Sequence, residues 1–325
     1  MDIQQVQRFT GKAQEVMFQE QEPMFKAWLI QSVDTNYVYL VTKYLHCCSD
    51  GLDILQVYAQ MQDTKEAREK LAVRKPKRST SSFLAMLLYL PFSIFSLAKL
   101  WYCEYYRHLS FLKDHANGVL TKKRDYALSG DIMLEDVAKK AKAFNVGVHE
   151  YILAAISVAI YKVTDGRETS KVNFVCPNST AEPETNLETF TPKNAIVVTF
   201  CTIRAKPTMR EAIEEAKLAV ARYREPRYMT FWMFAQDFMN HMGSDWAINW
   251  LSEFFSQHMY QFCISNMVAQ RNLGKWVIGG QAVEWVSVMG SEAALSISVT
   301  TYNDTMKVCV CADRGYSRLS RPMAQ

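Results

Sequence analysis

The chain has 325 residues, 49% hydrophobic and 22% charged, with a formal net charge of +4. It is a globular chain long enough for two core-bearing lobes, and its scattered positive excess is too mild for a nucleic-acid-binding protein. Eight cysteines form no CxxC pair and no ligand-spaced Cys/His cluster, so they read as reduced small hydrophobes in a cytosolic setting rather than as disulfides or a metal site.

The N-terminal stretch, residues 2–20, places Ile3, Val6, Phe9, Ala13, Val16 and Met17 at helical spacing, which predicts an amphipathic helix and no cleavable signal peptide. Tyr37 to Leu45 then alternates aromatic and β-branched residues, the pattern of a strand buried on at least one face. His46 follows where that strand pattern stops. Asp50 and Gly51 stand four and five residues further on, before an apolar helical start at Leu52, Ile54 and Leu55. Gly51 would permit a backbone turn that a Cβ resists, and the Asp50 carboxylate would hold that turn through local backbone donors or a nearby arginine. An imidazole fixed at such a turn is a general-base candidate, since its unperturbed pKa lies near operating pH.

His46-Cys47-Cys48-Ser49-Asp50-Gly51 resembles the HxxxDG active-site motif of the chloramphenicol acetyltransferase superfamily of acyl-CoA-dependent transferases. The context, with Pro23-Met24-Phe25 and Trp28-Leu29-Ile30 ahead of the strand, looks most like the bacterial-type wax ester synthase/diacylglycerol acyltransferase family. That resemblance implies an α/β fold, a two-lobe sandwich of mixed sheets flanked by helices. Members of that family carry several dozen residues, including a strand and a helix, ahead of the first helix here. The expectation is therefore an N-terminally truncated relative.

Beyond Gly51 a helix is predicted to about Leu71, followed by a basic linker at Arg74-Lys75-Pro76-Lys77-Arg78. Residues 83–103 (FLAMLLYLPFSIFSLAKLWYC) hold Lys99 as their only charge. About 20 apolar residues suffice to span a bilayer, and Lys99 lies near enough to the end to snorkel. Pro91 equally allows a kinked hairpin or an in-plane helix. This apolar insert helix predicts membrane association, with the basic cluster facing the cytosol. The domain expectation is a partial N-terminal lobe over 1–72, linker and hydrophobic segment over 73–116, and a C-terminal lobe over 117–325.

Asp131 to Phe144 is a predicted helix closed by Asn145-Val146-Gly147 with glycine as its C-cap. A second helix, Val148 to Val163, is apolar nearly all round and should be buried. His149-Glu150 stands at its head, where the resembled family has an Asn-Asp pair. It reads either as helix capping with acidic complementarity to the helix N-terminus or as a pocket-lining pair. Strands follow at Lys171 to Cys176 and Ala195 to Arg204, then a helix over Met209 to Arg224. Phe231 to Tyr260 is rich in Met, Phe and Trp and reads as one or two helices lining the lobe interface. Ser265-Asn266-Met267 follows a strand at Gln261 to Ile264. It sits where the family has a Ser-Asn-Val-Pro-Gly run crossing between lobes near the catalytic histidine. Here Ala269 and Gln270 replace the proline and glycine. Ser265 and Asn266 are either oxyanion donors or turn formers. Three strands close the chain, Gly280 to Val288, Ala294 to Tyr302 and Met306 to Asp313, with Asn303-Asp304 as a hairpin turn.

The resemblance covers about residues 5–72 and 117–315. It implies an O-acyltransferase that moves a fatty acyl group from acyl-CoA to diacylglycerol or a long-chain alcohol, as in triacylglycerol or wax ester synthesis. His46 would be the base, Asp50 and Gly51 the frame of the motif, and Ser265, Asn266, His149 and Glu150 the substrate-binding candidates. No metal or cofactor is expected, acyl-CoA being a co-substrate. The expected partners are acyl-CoA, a lipid alcohol and a membrane or lipid-droplet surface at the endoplasmic reticulum, facing the cytosol. Two other readings stay open: an inactive relative serving as a lipid-binding or interaction module, and acylation of a small amine or phenol.

Overall fold

A computed structural model of the chain describes residues 3–16, 18–19, 21–33, 35–46, 49–71, 91, 95, 121, 123–166, 171–179, 196–225, 229, 232–233, 262–270, 274–288, 290 and 295–314. The basic linker, the 231–260 stretch except Trp232 and Met233, and the apolar segment 83–103 except Pro91 and Phe95 lie outside these residues.

The chain opens with helix α1 (Ile3–Glu15) and an antiparallel hairpin, β1 (Phe25–Gln31) and β2 (Val38–Tyr44). Phe9 of α1 meets Trp28 of β1 edge-on at 5.6 Å, and Lys43 Nζ donates to the Ala13 carbonyl at 2.8 Å. The covered face of this hairpin is thus set by α1. Its other face is open, with Leu29 76% and Val38 61% exposed. The predicted burial of this strand therefore holds for one face only, and only partly.

Helices α2 (Gly51–Gln60) and α3 (Lys65–Leu71) take the place of one long predicted helix. The break has a local cause and a distant one. Thr64 Oγ1 accepts from Ala67 N–H at 3.1 Å, starting a new helix. Asp63 is drawn away to accept from the N–H groups of Gly279 and Gly280, each at 2.7 Å.

Next come β3 (Arg124–Leu128), β4 (Ile132–Met133), α4 (Leu134–Ala143), α5 (Val148–Val163), β5 (Lys171–Ser179), β6 (Ile196–Arg204) and α6 (Met209–Tyr223). β7 (Phe262–Gln270), β8 (Val277–Ile278), β9 (Gln281–Ala282), β10 (Leu295–Tyr302) and β11 (Thr305–Asp313) complete the chain. Only the short β8–β9 pair forms where one strand over 280–288 was expected. Asn145, at φ 54°, is the left-handed residue that ends α4, and Gly147 is instead the extended N-cap of α5. Asparagine tolerates that conformation, which removes the need for glycine there.

The main sheet has seven strands in the order β3-β11-β10-β7-β5-β6, with β4 paired to β11. β7 is parallel to both β10 and β5, and the remaining pairings are antiparallel, so the sheet is mixed. Helices flank it on both faces. On one, α5 and α6 pack over Phe174, Phe262, Ile264, Leu295, Ile297 and Val299. On the other, α2 presses Leu55 and Ala59 against Met267, Ala269, Trp276 and Tyr302. This is the expected α/β architecture, and β10, buried at every position, is its centre. Among the described residues no single helix is long and apolar enough to cross a membrane. The pair α4 and α5 reaches that threshold only together, bent by 88°.

Candidate active site

Of the HxxxDG motif, His46 and Ser49 to Gly51 are among the described residues. β2 ends at Tyr44, and Leu45 N–H still donates to the Met24 carbonyl at 3.0 Å, so the hairpin ladder holds up to the residue before His46. His46 then lies half-buried in a turn. Asp50 is 1% exposed and has extended backbone (φ −88°, ψ 173°). Its Oδ1 accepts from Leu52 N–H at 2.9 Å and Asp53 N–H at 3.0 Å, which makes it the N-cap of α2. The buried carboxylate also complements the positive end of that helix. Asp50 thus caps α2 through two backbone donors. Thr42 of β2 and Tyr58 of α2 are joined hydroxyl to hydroxyl, fixing the strand before the histidine to the helix after it.

Gly51 serves a different purpose from the one predicted. Its φ is not in the left-handed region. A Cβ there would stand 2.5 Å from Met267 Sδ, so any larger residue would displace the Met267 side chain of β7. That contact brings the motif against the strand carrying Ser265 and Asn266.

β7 runs through Ser265-Asn266-Met267 without a turn, contrary to the turn-forming alternative. Ala269 and Gln270 have the backbone N–H that proline lacks, so the strand continues to Gln270, and the irregularity shrinks to a register shift opposite Thr301 and Tyr302. Consecutive residues of a strand face opposite ways. Ser265 therefore shares the face of Met267, toward α2, while Asn266 faces α5. The two cannot both donate to one oxyanion, and Ser265 is the one on the HxxxDG side.

Asn266 meets His149 instead. Its Nδ2 is 3.2 Å from His149 Nδ1. With the amide donating, the imidazole proton sits on Nε2, which is buried and makes no hydrogen bond among the described residues. Tyr223 packs edge-on to this ring at 5.8 Å. Burial pushes the His149 pKa down to about 4, the nearby Arg224 charge adding to it and Glu150 opposing. His149 is therefore neutral at physiological pH. Glu150 pairs with Arg224 at 3.4 Å, and no side chain caps α5. Neither side chain caps α5, but Glu150 lies in its first turn, where its charge complements the positive helix end. Of the pair, Glu150 lines a surface recess beside α5 together with Arg224, and His149 does not. Arg224 and Tyr223 were missed as site residues because nothing local in the sequence ties the end of α6 to the head of α5.

Residues 194–321 match the model of the WS/DGAT C-terminal domain. No curated protein matches the sequence. Among solved structures, the chain is similar to a wax ester synthase/diacylglycerol acyltransferase from Marinobacter aquaeolei VT8. The TM-score is 0.58 at 16% identity, over 99% of this chain and 73% of that one. The first condensation domain of the calcium-dependent antibiotic synthetase follows with a TM-score of 0.56 at 13% identity, over 99% and 72%. The epimerization domain from the third module of tyrocidine synthetase B gives 0.53 at 12%, over 100% and 75%. The fold is the one these proteins share, and the resemblance to the wax ester synthase/diacylglycerol acyltransferase family holds. The domain match over residues 194–321 supports acyltransferase chemistry in general.

Proposed function

We propose that the protein is an O-acyltransferase that moves a fatty acyl group from coenzyme A to diacylglycerol or a long-chain alcohol. The observation that carries this reading is the placement of His46. It sits between the end of β2 and an Asp50-capped helix, and that helix abuts β7 of the matched domain.

One imidazole nitrogen of His46 takes the proton of the acceptor hydroxyl as its oxygen attacks the thioester carbonyl. The Ser265 side chain, on the same face of β7 as the turn, would donate to the developing oxyanion. The C–S bond then breaks, and the imidazolium returns the proton to the departing thiolate. Binding both substrates at the junction of α2 and β7 supplies proximity. Residues 83–103 support a membrane or lipid-droplet location facing the cytosol, where such acceptors reside. A protein that a salt wash alone releases from membranes would argue against that placement.

The test is transfer from radiolabelled acyl-CoA to diacylglycerol or hexadecanol by the purified chain. His46→Ala should lower the rate about 10²- to 10⁴-fold. An unchanged rate in that variant overturns the mechanism. A second reading, a lipid-binding module without catalysis, is favoured by one observation: Asn266 is engaged by His149 and turned away from the HxxxDG face. Lipid binding with no transfer to any acceptor would select it.

A further inference from the structure

The central strands of the main sheet carry different chemistry on their two faces. Toward α5 and α6 stand large buried side chains, Phe262, Ile264, Leu295 and Ile297 among them. Toward α1 and α2, strand alternation places Cys263 and Ser265 of β7, Ser296 and Ser298 of β10, and Cys309 and Cys311 of β11. The register sets these in two rows, Cys263-Ser296-Cys311 and Ser265-Ser298-Cys309. On one side α2 borders this floor at Met267, two residues along β7 from Ser265. On the other, α1 lays Gly11 against Tyr126 of β3, which pairs with Cys311. Cys263 and Ser265 are only half-buried, so the floor opens along β7, on the side of the HxxxDG turn. Ser296 is 3% exposed, and its Oγ is buried without a hydrogen bond among the described residues. An unpaired buried hydroxyl costs stability, and alanine would fill the same place without that cost.

We propose that Ser296 selects the acceptor, its hydroxyl donating to an ester carbonyl of a diacylglycerol whose free hydroxyl lies at the HxxxDG turn. This rests on the transferase reading above and decides between its two acceptors. Ser296 stands one strand over and two residues along from Ser265, about 8 Å away by strand geometry. With the oxyanion at Ser265, an ester carbonyl a few bonds from the attacking hydroxyl comes within reach of Ser296. A long-chain alcohol has no such carbonyl and leaves the Ser296 hydroxyl buried and unpaired. A site built around a hydrogen bond rejects the analogue lacking the partner for that reason. The small neighbouring side chains, Ser298 and Cys263, leave room for the glycerol backbone above the floor.

The experiment compares 1,2-diacylglycerol, 1,2-dialkylglycerol and hexadecanol as acceptors of labelled acyl groups, using the whole chain in mixed micelles. The dialkyl ether keeps the free hydroxyl and both chains and lacks only the carbonyls. The wild type should use the diacyl compound about 10-fold better than the ether or hexadecanol in kcat/KM. Ser296→Ala should abolish that difference by lowering the diacyl value. Its thermal unfolding should be no lower than that of wild type, since the hydroxyl it removes has no partner in the folded chain. A clear loss of stability in Ser296→Ala would make the hydroxyl structural and overturn the proposal. Equal use of diacyl and dialkyl acceptors by the wild type overturns it and spares the transferase, as does a preference that Ser296→Ala retains. If no acceptor is acylated, equilibrium binding of the two glycerols, fluorescently labelled, decides. Tighter diacyl binding that Ser296→Ala abolishes removes the transferase and spares this site, and equal binding removes both.

Discussion

The Asn266 amide and the His149 imidazole are joined at 3.2 Å across the interface between β7 and α5. They are 117 residues apart in sequence and stand on the side of β7 opposite the HxxxDG turn. The contact fixes both the rotamer of Asn266 and the tautomer of His149.

It also carries a pH signature. The folded chain keeps His149 neutral until about pH 4, against an ordinary value of 6.5. Below pH 6.5 the unfolded chain takes up a proton here that the folded chain refuses. Unfolding therefore becomes easier as pH falls from 6.5 toward 4, and the contribution is flat above that window. His149→Asn should reduce the slope of stability against pH there, measured by urea unfolding at several pH values. A slope identical to wild type would show that His149 is not held neutral by burial.

Asp50 separates capping from charge. Asp50→Ala removes the acceptor for two backbone donors and should cost about 1–2 kcal/mol in chemical denaturation. Asparagine is a comparable N-cap, so Asp50→Asn should be nearly as stable as wild type and retain activity. A stable but inactive Asp50→Asn would mean that the carboxylate also orients His46.

Gly51 and Met267 should be energetically coupled. Gly51→Ala forces the Met267 sulfur to move within a packed site, at a cost of about 1–3 kcal/mol. Met267→Ala opens the space that the new methyl needs. In a double-mutant cycle the two should offset each other by about 0.5–3 kcal/mol. Strict additivity would rule out the close approach.

Leu55 is fully buried between α2 and β7. Leu55→Ala should destabilise the chain by about 2–5 kcal/mol, through lost burial and the cavity left behind. Acyl transfer should decline at temperatures where wild type is still active, because this leucine holds the helix that fixes the His46 turn.

Elements governed by neighbours within a few residues are legible in the residues alone. The all-round apolar pattern of 148–163 forms the buried helix α5, and Asn303, at φ 54°, makes the expected turn between β10 and β11. The HxxxDG spacing likewise predicted a locked turn, because a carboxylate reaching the next two N–H groups needs only local chain. Tertiary structure decided what depends on distant partners. Gly51 is small because Met267 crosses it, and the predicted helix past Gln60 breaks where Asp63 binds Gly279 and Gly280. Ser265 and Asn266 were legible as polar residues beside the site. Which of them faces it followed only from an unbroken β7 pairing with β10 residue by residue.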